Sequence, residues 1–126
     1  MKKIINTTNA PAPIGPYNQA ILSNGTLYIS GQIPLNPKNG ELVSGDIKKE
    51  TKQSMENLKA ILTEAEMTFE HVVKSSIFLS DMNQFTEVNE VYASYFNAET
   101  APARETVEVA NLPKFVNVEI SMIAIK

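Results

Sequence analysis

The sequence contains no cysteine. Disulfides, thiolate metal sites and a cysteine nucleophile are thereby excluded. It contains one histidine, His71, which cannot build a histidine-rich metal site. A Ser-His-Asp triad would have to use His71, and nothing beside it suggests a nucleophile. The plainer reading is a half-exposed histidine at the start of a strand. No run of lysine or arginine exceeds two residues, and the formal charge is −3. A dedicated surface for nucleic acid or an anionic membrane is therefore not expected. Neither a GxGxxG pattern nor a P-loop occurs, so no phosphate cradle is visible. Long hydrophobic runs are missing too. After Met1-Lys2-Lys3 the apolar stretch is only Ile4-Ile5, far short of a signal-peptide core. No stretch approaches the length of a transmembrane helix. The expected location is the cytoplasm.

What is present suffices for one packed domain over residues 1–126. Hydrophobic residues make up 43% of the chain, which argues against wholesale disorder. Residues 9–16 hold three prolines and read as an irregular loop. Apolar-alternating segments follow at 17–23 and 26–31, with Asn24-Gly25 between them as a type I′ hairpin signal. Residues 34–45 are a turn-rich connection. A helix is predicted over 46–65, capped by Asp46, with Glu50 favoured at its positive end. Ile47, Thr51, Met55, Leu58, Ile61, Leu62 and Ala65 form its apolar face. Residues 71–80 read as a strand with Val73, Ile77 and Leu79 on one side. Asp81-Met82-Asn83-Gln84 resembles a capping box and opens a second helix over 83–97. Its buried stripe is Phe85, Val88, Tyr92, Tyr95 and Phe96. Strands at 103–110 and 116–125 finish the chain.

The class is α+β, with a β-β-α-β-α-β-β order. Two helices, each about 10 Å wide, cover roughly four strands spaced about 4.8 Å apart, and only on one face. Yet the last strand is apolar on both sides: Val116, Val118, Ile120, Met122 and Ala124 on one, Ile123 and Ile125 on the other. A strand of that kind is buried on both faces. The bare face is therefore expected to be covered by another copy of the chain.

Two polar residues stand out in the last strands. Arg104 sits at the mouth of a strand, where a guanidinium can form two parallel bonds to a carboxylate. A structural ion pair or a solvated strand end is the alternative. Glu119 lies between Val118 and Ile120, where a carboxylate needs a partner or a task. Desolvation there raises its pKa toward proton-transfer chemistry. An Arg104–Glu119 pair that only fixes strand register is the alternative. Tyr17 is placed by the rigid Gly15-Pro16 step. Ser30-Gly31 ends the second strand, and Gly31 allows close backbone approach. Asn89 interrupts the apolar stripe of the second helix.

Together the segments Ile14-Gly15-Pro16-Tyr17, Ser30-Gly31-Gln32-Ile33-Pro34, Pro102-Ala103-Arg104-x-x-Val107-Glu108-Val109-Ala110-x-Leu112-Pro113 and Val118-Glu119-Ile120 resemble the RidA/YjgF family of imine and enamine deaminases. The likeness spans essentially the whole chain. It implies a chorismate-mutase-like fold with two helices on one face of a mixed sheet. It also implies a homotrimer around a threefold axis, with sites in clefts between subunits. The implied reaction is hydrolysis of 2-imino acids such as 2-iminobutanoate and 2-iminopropanoate to the 2-keto acid and ammonia. Pyridoxal-phosphate-dependent threonine and serine dehydratases release these substrates. No cofactor and no metal are implied. By the same resemblance Arg104 would clamp the carboxylate and Glu119 would handle water and a proton. Gly31 and Thr106 would act through backbone groups, Tyr17 would close the cleft, and Ser30 and Asn89 would support it.

This chain departs from the family at three places. Thr106 stands where many relatives have cysteine, and Glu66-Met67 where they often have a helix-ending glycine. Glu105 stands where they prefer a small or apolar residue; it is expected to point away from Arg104 and to lower the local positive potential. Non-catalytic binding of small carboxylates such as keto acids is the alternative function. A ribonuclease or translation inhibitor is a third, disfavoured by the net charge.

Overall fold

The chain enters the sheet earlier than its apolar pattern predicts. In the computed structural model, which describes residues 1–126, Lys2–Ile5 forms β1 and pairs antiparallel with β2, Ala20–Ser23. A short strand that begins with two lysines shows no alternation of its own; pairing with β2 makes it a strand. The first hairpin strand begins at Ala20 and not at residue 17, because Tyr17, Asn18 and Gln19 belong to the preceding loop. Asn24 and Gly25 take φ of 50° and 79°, which turns the chain into β3, Thr26–Gln32. Positive φ at both central residues is what an Asn-Gly hairpin turn supplies.

The remaining elements are α1 (Ile47–Glu64), β4 (Val72–Leu79), α2 (Phe85–Ala93), β5 (Ala103–Glu108) and β6 (Val118–Ile125). The strand order is β1-β2-β3-β6-β4-β5. Only β4 and β5 run parallel, and α2 supplies the crossover that a parallel pair needs. This is the mixed sheet with two helices on one face that the sequence predicts, extended by β1. No helix is long and apolar enough to cross a membrane.

The core lies between that face and the helices. All seven residues of the predicted α1 stripe are buried in it. Asp46 caps the helix by accepting from the backbone N–H groups of Lys48 and Lys49. Glu50 does more than complement the helix dipole. It is buried and accepts from Asn117 Nδ2 at 3.0 Å, and burial pushes its carboxyl up. At the other end Glu66 takes φ 59°, while the N–H of Met67 reaches Leu62 O and that of Glu66 reaches Thr63 O. That is a Schellman cap built without glycine.

The second helix is shorter than the predicted 83–97. Met82–Gln84 is a separate 3-10 turn, and after Ala93 the chain leaves the α-helix through turns. Only half of the expected capping box forms: Asp81 accepts from the Asn83 N–H, while Gln84 Oε1 is buried without a partner. Glu108 of β5 contributes instead, accepting from the Met82 N–H at 2.7 Å. Val88 and Tyr92 are buried, and Phe85, Tyr95 and Phe96 pack against the core.

In β4 the predicted face is wrong at one residue. Val73 is 43% exposed, because the pairing with β6 slips between Val72 and Lys74. This bulge inserts one residue and reverses the parity, so Val72 is buried in place of Val73. His71 ends a 3-10 turn ahead of β4, and its Nδ1 accepts from the Thr68 N–H at 3.0 Å. The histidine is half-buried and closes a capping box, a role its sequence neighbours do not announce.

Asn57 ties the turn-rich connection to α1. It is 1% exposed, and its Nδ2 donates to Ile33 O at 3.1 Å and Leu35 O at 2.9 Å. Asn57→Ala leaves Leu35 O without a partner, while Ile33 O keeps the Leu35 N–H at 2.7 Å. The expected loss of unfolding free energy is about 1–3 kcal/mol, read from urea melts at one fixed protein concentration.

Candidate active site

The site begins with one face of α2. Phe85, Asn89 and Tyr92 lie at i, i+4 and i+7 and therefore share a side of the helix. β5 pairs parallel with β4 at the sheet edge, and its register sets Arg104 beside Ser75. Ser75 faces the helices and is buried, so Arg104 projects toward α2. Its Nη1 donates to Asn89 Oδ1 at 2.7 Å. Its guanidinium carbon lies 5.1 Å from the Tyr92 ring centre and 5.5 Å from that of Phe85. Arg104 is the only arginine in the chain.

Beneath it, Ser75 Oγ lies beside the buried Tyr92 hydroxyl, and neither atom has any other partner. Burial pushes the Tyr92 phenol up, against opposing pulls from Ser75 and Arg104. Thr106 follows on the same face, opposite Ile77, with its Oγ1 buried and unpartnered.

Glu105 goes to the other face, as strand alternation requires. Lys74 Nζ pairs with it at 2.7 Å, and Ser76 Oγ donates to its second oxygen. These two hydrogen bonds, Lys74 first, hold its carboxyl below the ordinary range. The negative potential expected from Glu105 is answered at once by the Lys74 cation.

Glu119 also lies on that bare face, in register with Phe78. Its carboxylate packs on Gly31: a Cβ built there would stand 2.7 Å from Glu119 Cδ. The β3–β6 pairing slips between Ile29 and Gln32, and this irregularity is where the bare glycine and the carboxylate meet. Burial pushes the Glu119 carboxyl up, and no hydrogen bond or ion pair offsets it. Gly31 is thus held to glycine by contact with Glu119 and not by its φ.

The proposed residues therefore fall into two groups. Arg104, Asn89 and the Thr106 side chain meet on the helix face; Glu119 and Gly31 meet on the bare face. Ser30 is near the second group in sequence, and its Oγ donates to Asn18 O at 2.7 Å. Tyr17 joins neither group within one chain. It is exposed, and its hydroxyl accepts from the Ile14 N–H at 3.4 Å. The register-fixing Arg104–Glu119 pair considered from sequence does not form, because the sheet separates the two residues.

Sequence reasoning missed Gln19. It is 2% exposed, accepts from the Thr7 N–H, and donates to the carbonyls of Thr7, Ala10 and Pro11. These bonds shape the loop that leads to Tyr17. A lone glutamine at the head of a strand carries no periodic signal. Lys74 and Ser76 were missed because their partner comes from β5.

One face thus carries a preset guanidinium and the other an unpartnered, partly desolvated carboxylate, equipment for holding an anion and for moving a proton. Comparison with known proteins gives the family. The family model described as endoribonuclease L-PSP matches residues 7–126. A RutC family protein of Pyrococcus horikoshii is 55% identical over 126 residues, covering 100% of this chain and 99% of its own length. The mouse protein named 2-iminobutanoate/2-iminopropanoate deaminase is 48% identical over 126 residues, 100% of this chain and 93% of its own. The crystal structure of E. coli TdcF with bound serine superposes with a TM-score of 0.92 at 40% identity, covering 98% of each chain. The chain belongs to the YjgF/RidA family.

Glu119 leaves a signature in stability. A carboxyl raised on folding contributes stability that is complete below its unfolded value of about 4.3 and is lost as pH rises through the folded value. Glu119→Gln is therefore expected to match the native chain at about pH 4 and to exceed it increasingly toward about pH 7. Denaturant melts across that range check the sign.

Proposed function

We propose that the protein is a hydrolytic deaminase of 2-imino acids, acting as a homotrimer with its sites between subunits. The observation that carries this reading is the separation of Arg104 and Glu119 by the sheet. A cleft that uses both must take Arg104 from the β5 edge of one chain and Glu119 from the bare face of its neighbour. The apolar side chains of that face, including exposed Tyr28, Val107 and Ile125, supply surface for such an assembly. The named mouse deaminase supports the reaction. The serine bound to E. coli TdcF supports a site sized for a small carboxylate.

In this mechanism the Arg104 guanidinium binds the carboxylate of 2-iminobutanoate or 2-iminopropanoate. Glu119 holds a water against the C=N carbon and takes its proton as the C–O bond forms. The substrate is taken as its iminium form, so the C=N electron pair settles on a nitrogen that already carries its two protons. Glu119 then returns its proton to the nitrogen of the carbinolamine. The C–N bond breaks, ammonia leaves, and the hydroxyl proton is lost as the keto acid forms. A carboxyl pushed toward the working pH suits both transfers. Tyr17 closes the cleft from its loop, and Ser30, Gly31, Asn89 and Thr106 line or support it. In a cytoplasmic setting, pyridoxal-phosphate-dependent threonine and serine dehydratases supply the imines.

A purely binding role drew on the negative potential of Glu105; it lies on the face away from Arg104, as expected, and Lys74 pairs with it there. A ribonuclease role has behind it the family description and the descriptions of some similar structures. The net charge of −3 and a single arginine suit RNA poorly, and His71 is engaged by Thr68.

The test couples a threonine dehydratase to semicarbazide trapping of the imine. Glu119→Gln is expected to cut kcat by about 10²–10⁴-fold, and Arg104→Ala to raise KM by about 10–100-fold. Mixing the two variants during refolding, with the assay run at imine well below the raised KM, is the decisive step. In a cyclic trimer with sites between chains, about a quarter of the sites regain both native residues. Activity that stays at background in the mixture would place the site within one chain.

A further inference from the structure

We infer that Phe85 and Tyr92 are positioning residues for carboxylate binding: their ring faces seat the Arg104 cation, and Asn89 fixes its direction, before any ligand arrives. The inference rests on the proposed role of Arg104 as the group that binds the substrate carboxylate.

An arginine on an edge strand ordinarily samples many rotamers, and a ligand that needs it in one of them must overcome that freedom. Here three residues on one face of α2 remove it. The guanidinium carbon stands 5.1 Å from the Tyr92 ring centre and 5.5 Å from that of Phe85, within the range where a ring quadrupole attracts a cation. The rings consume no N–H donor. Asn89 takes one at 2.7 Å, so four of the five donors of a guanidinium stay free for a carboxylate. The seat itself is held. Tyr92 is 5% exposed and its ring packs against that of Phe96, 4.8 Å between centres and tilted by 38°. Phe85 packs against the core. From sequence these aromatics are only members of a buried stripe, and any apolar side chain would fill that space. The cation above them is what calls for a ring.

Phe85→Leu separates packing from ring electrostatics, because it keeps an apolar side chain and removes the π face. The expected result is a rise of about three- to tenfold in KM for the imine and in Kd for 2-oxobutanoate, with kcat nearly unchanged. Phe85→Tyr and Tyr92→Phe keep their rings and are expected to behave like the native protein. A second readout needs no ligand. Since the chain has one arginine, its side-chain Nε–Hε NMR signal belongs to Arg104. Its order parameter is expected to fall from above about 0.8 to below about 0.6 in Phe85→Leu.

Native activity with an unchanged KM and order parameter in Phe85→Leu overturns the seat and leaves the deaminase reading standing. Keto-acid binding that weakens in Phe85→Leu, with no imine turnover by the native protein, keeps the seat and removes the deaminase. A native protein that neither binds keto acid nor turns over imine removes both.

Discussion

Side chains alternate across a strand, and in β4, β5 and β6 that alternation decides where the conspicuous charged residues of this chain stand. The paired register puts Arg104 beside Ser75 on the helix face, and Glu119 beside Phe78 on the other. No rotamer change takes either residue through a hydrogen-bonded sheet. The two groups stay apart in one chain for the same reason that the core is apolar: a slip of one residue would turn every side chain over. The fold and the division of labour between the two faces are thus one constraint.

The two groups are prepared differently. Arg104 is given partners: two rings and an amide oxygen, all from α2. Glu119 is denied them, resting on the bare backbone of Gly31 with its ionised form disfavoured by burial. A carboxylate held in that way weighs against folding, a cost characteristic of sites kept for function. Glu105 illustrates the opposite treatment two strands away, where Lys74 and Ser76 satisfy it.

Much of this was legible in the sequence. Alternation in β6, the Asn24-Gly25 turn, the α1 stripe and the Asp46 cap are local patterns, and each agrees with the final packing. What was not legible depends on partners distant in sequence. β1 is a strand only because β2 lies beside it. Val73 is turned outward by a bulge that the β6 register creates. The α2 stripe read simply as core, because the cation that lies over Phe85 and Tyr92 arrives from β5. Gln19 gave no signal at all, since its bonds go to backbone atoms of an irregular loop. Arg104 and Glu119 were found because charge amid apolar alternation is conspicuous, yet their separation by the sheet needed the register.

The position of β5 at the open end of the sheet has a further bearing on solubility. An outermost strand offers unpaired backbone groups to any passing strand, and natural proteins guard such edges with charge. β5 carries three charged residues in six, Arg104, Glu105 and Glu108, so that edge-to-edge stacking into fibrils would bring like charges into repeated contact. Glu105 then belongs, with Arg104 and Glu108, to a set of gatekeeper charges that discourages this strand from pairing with a second copy of itself.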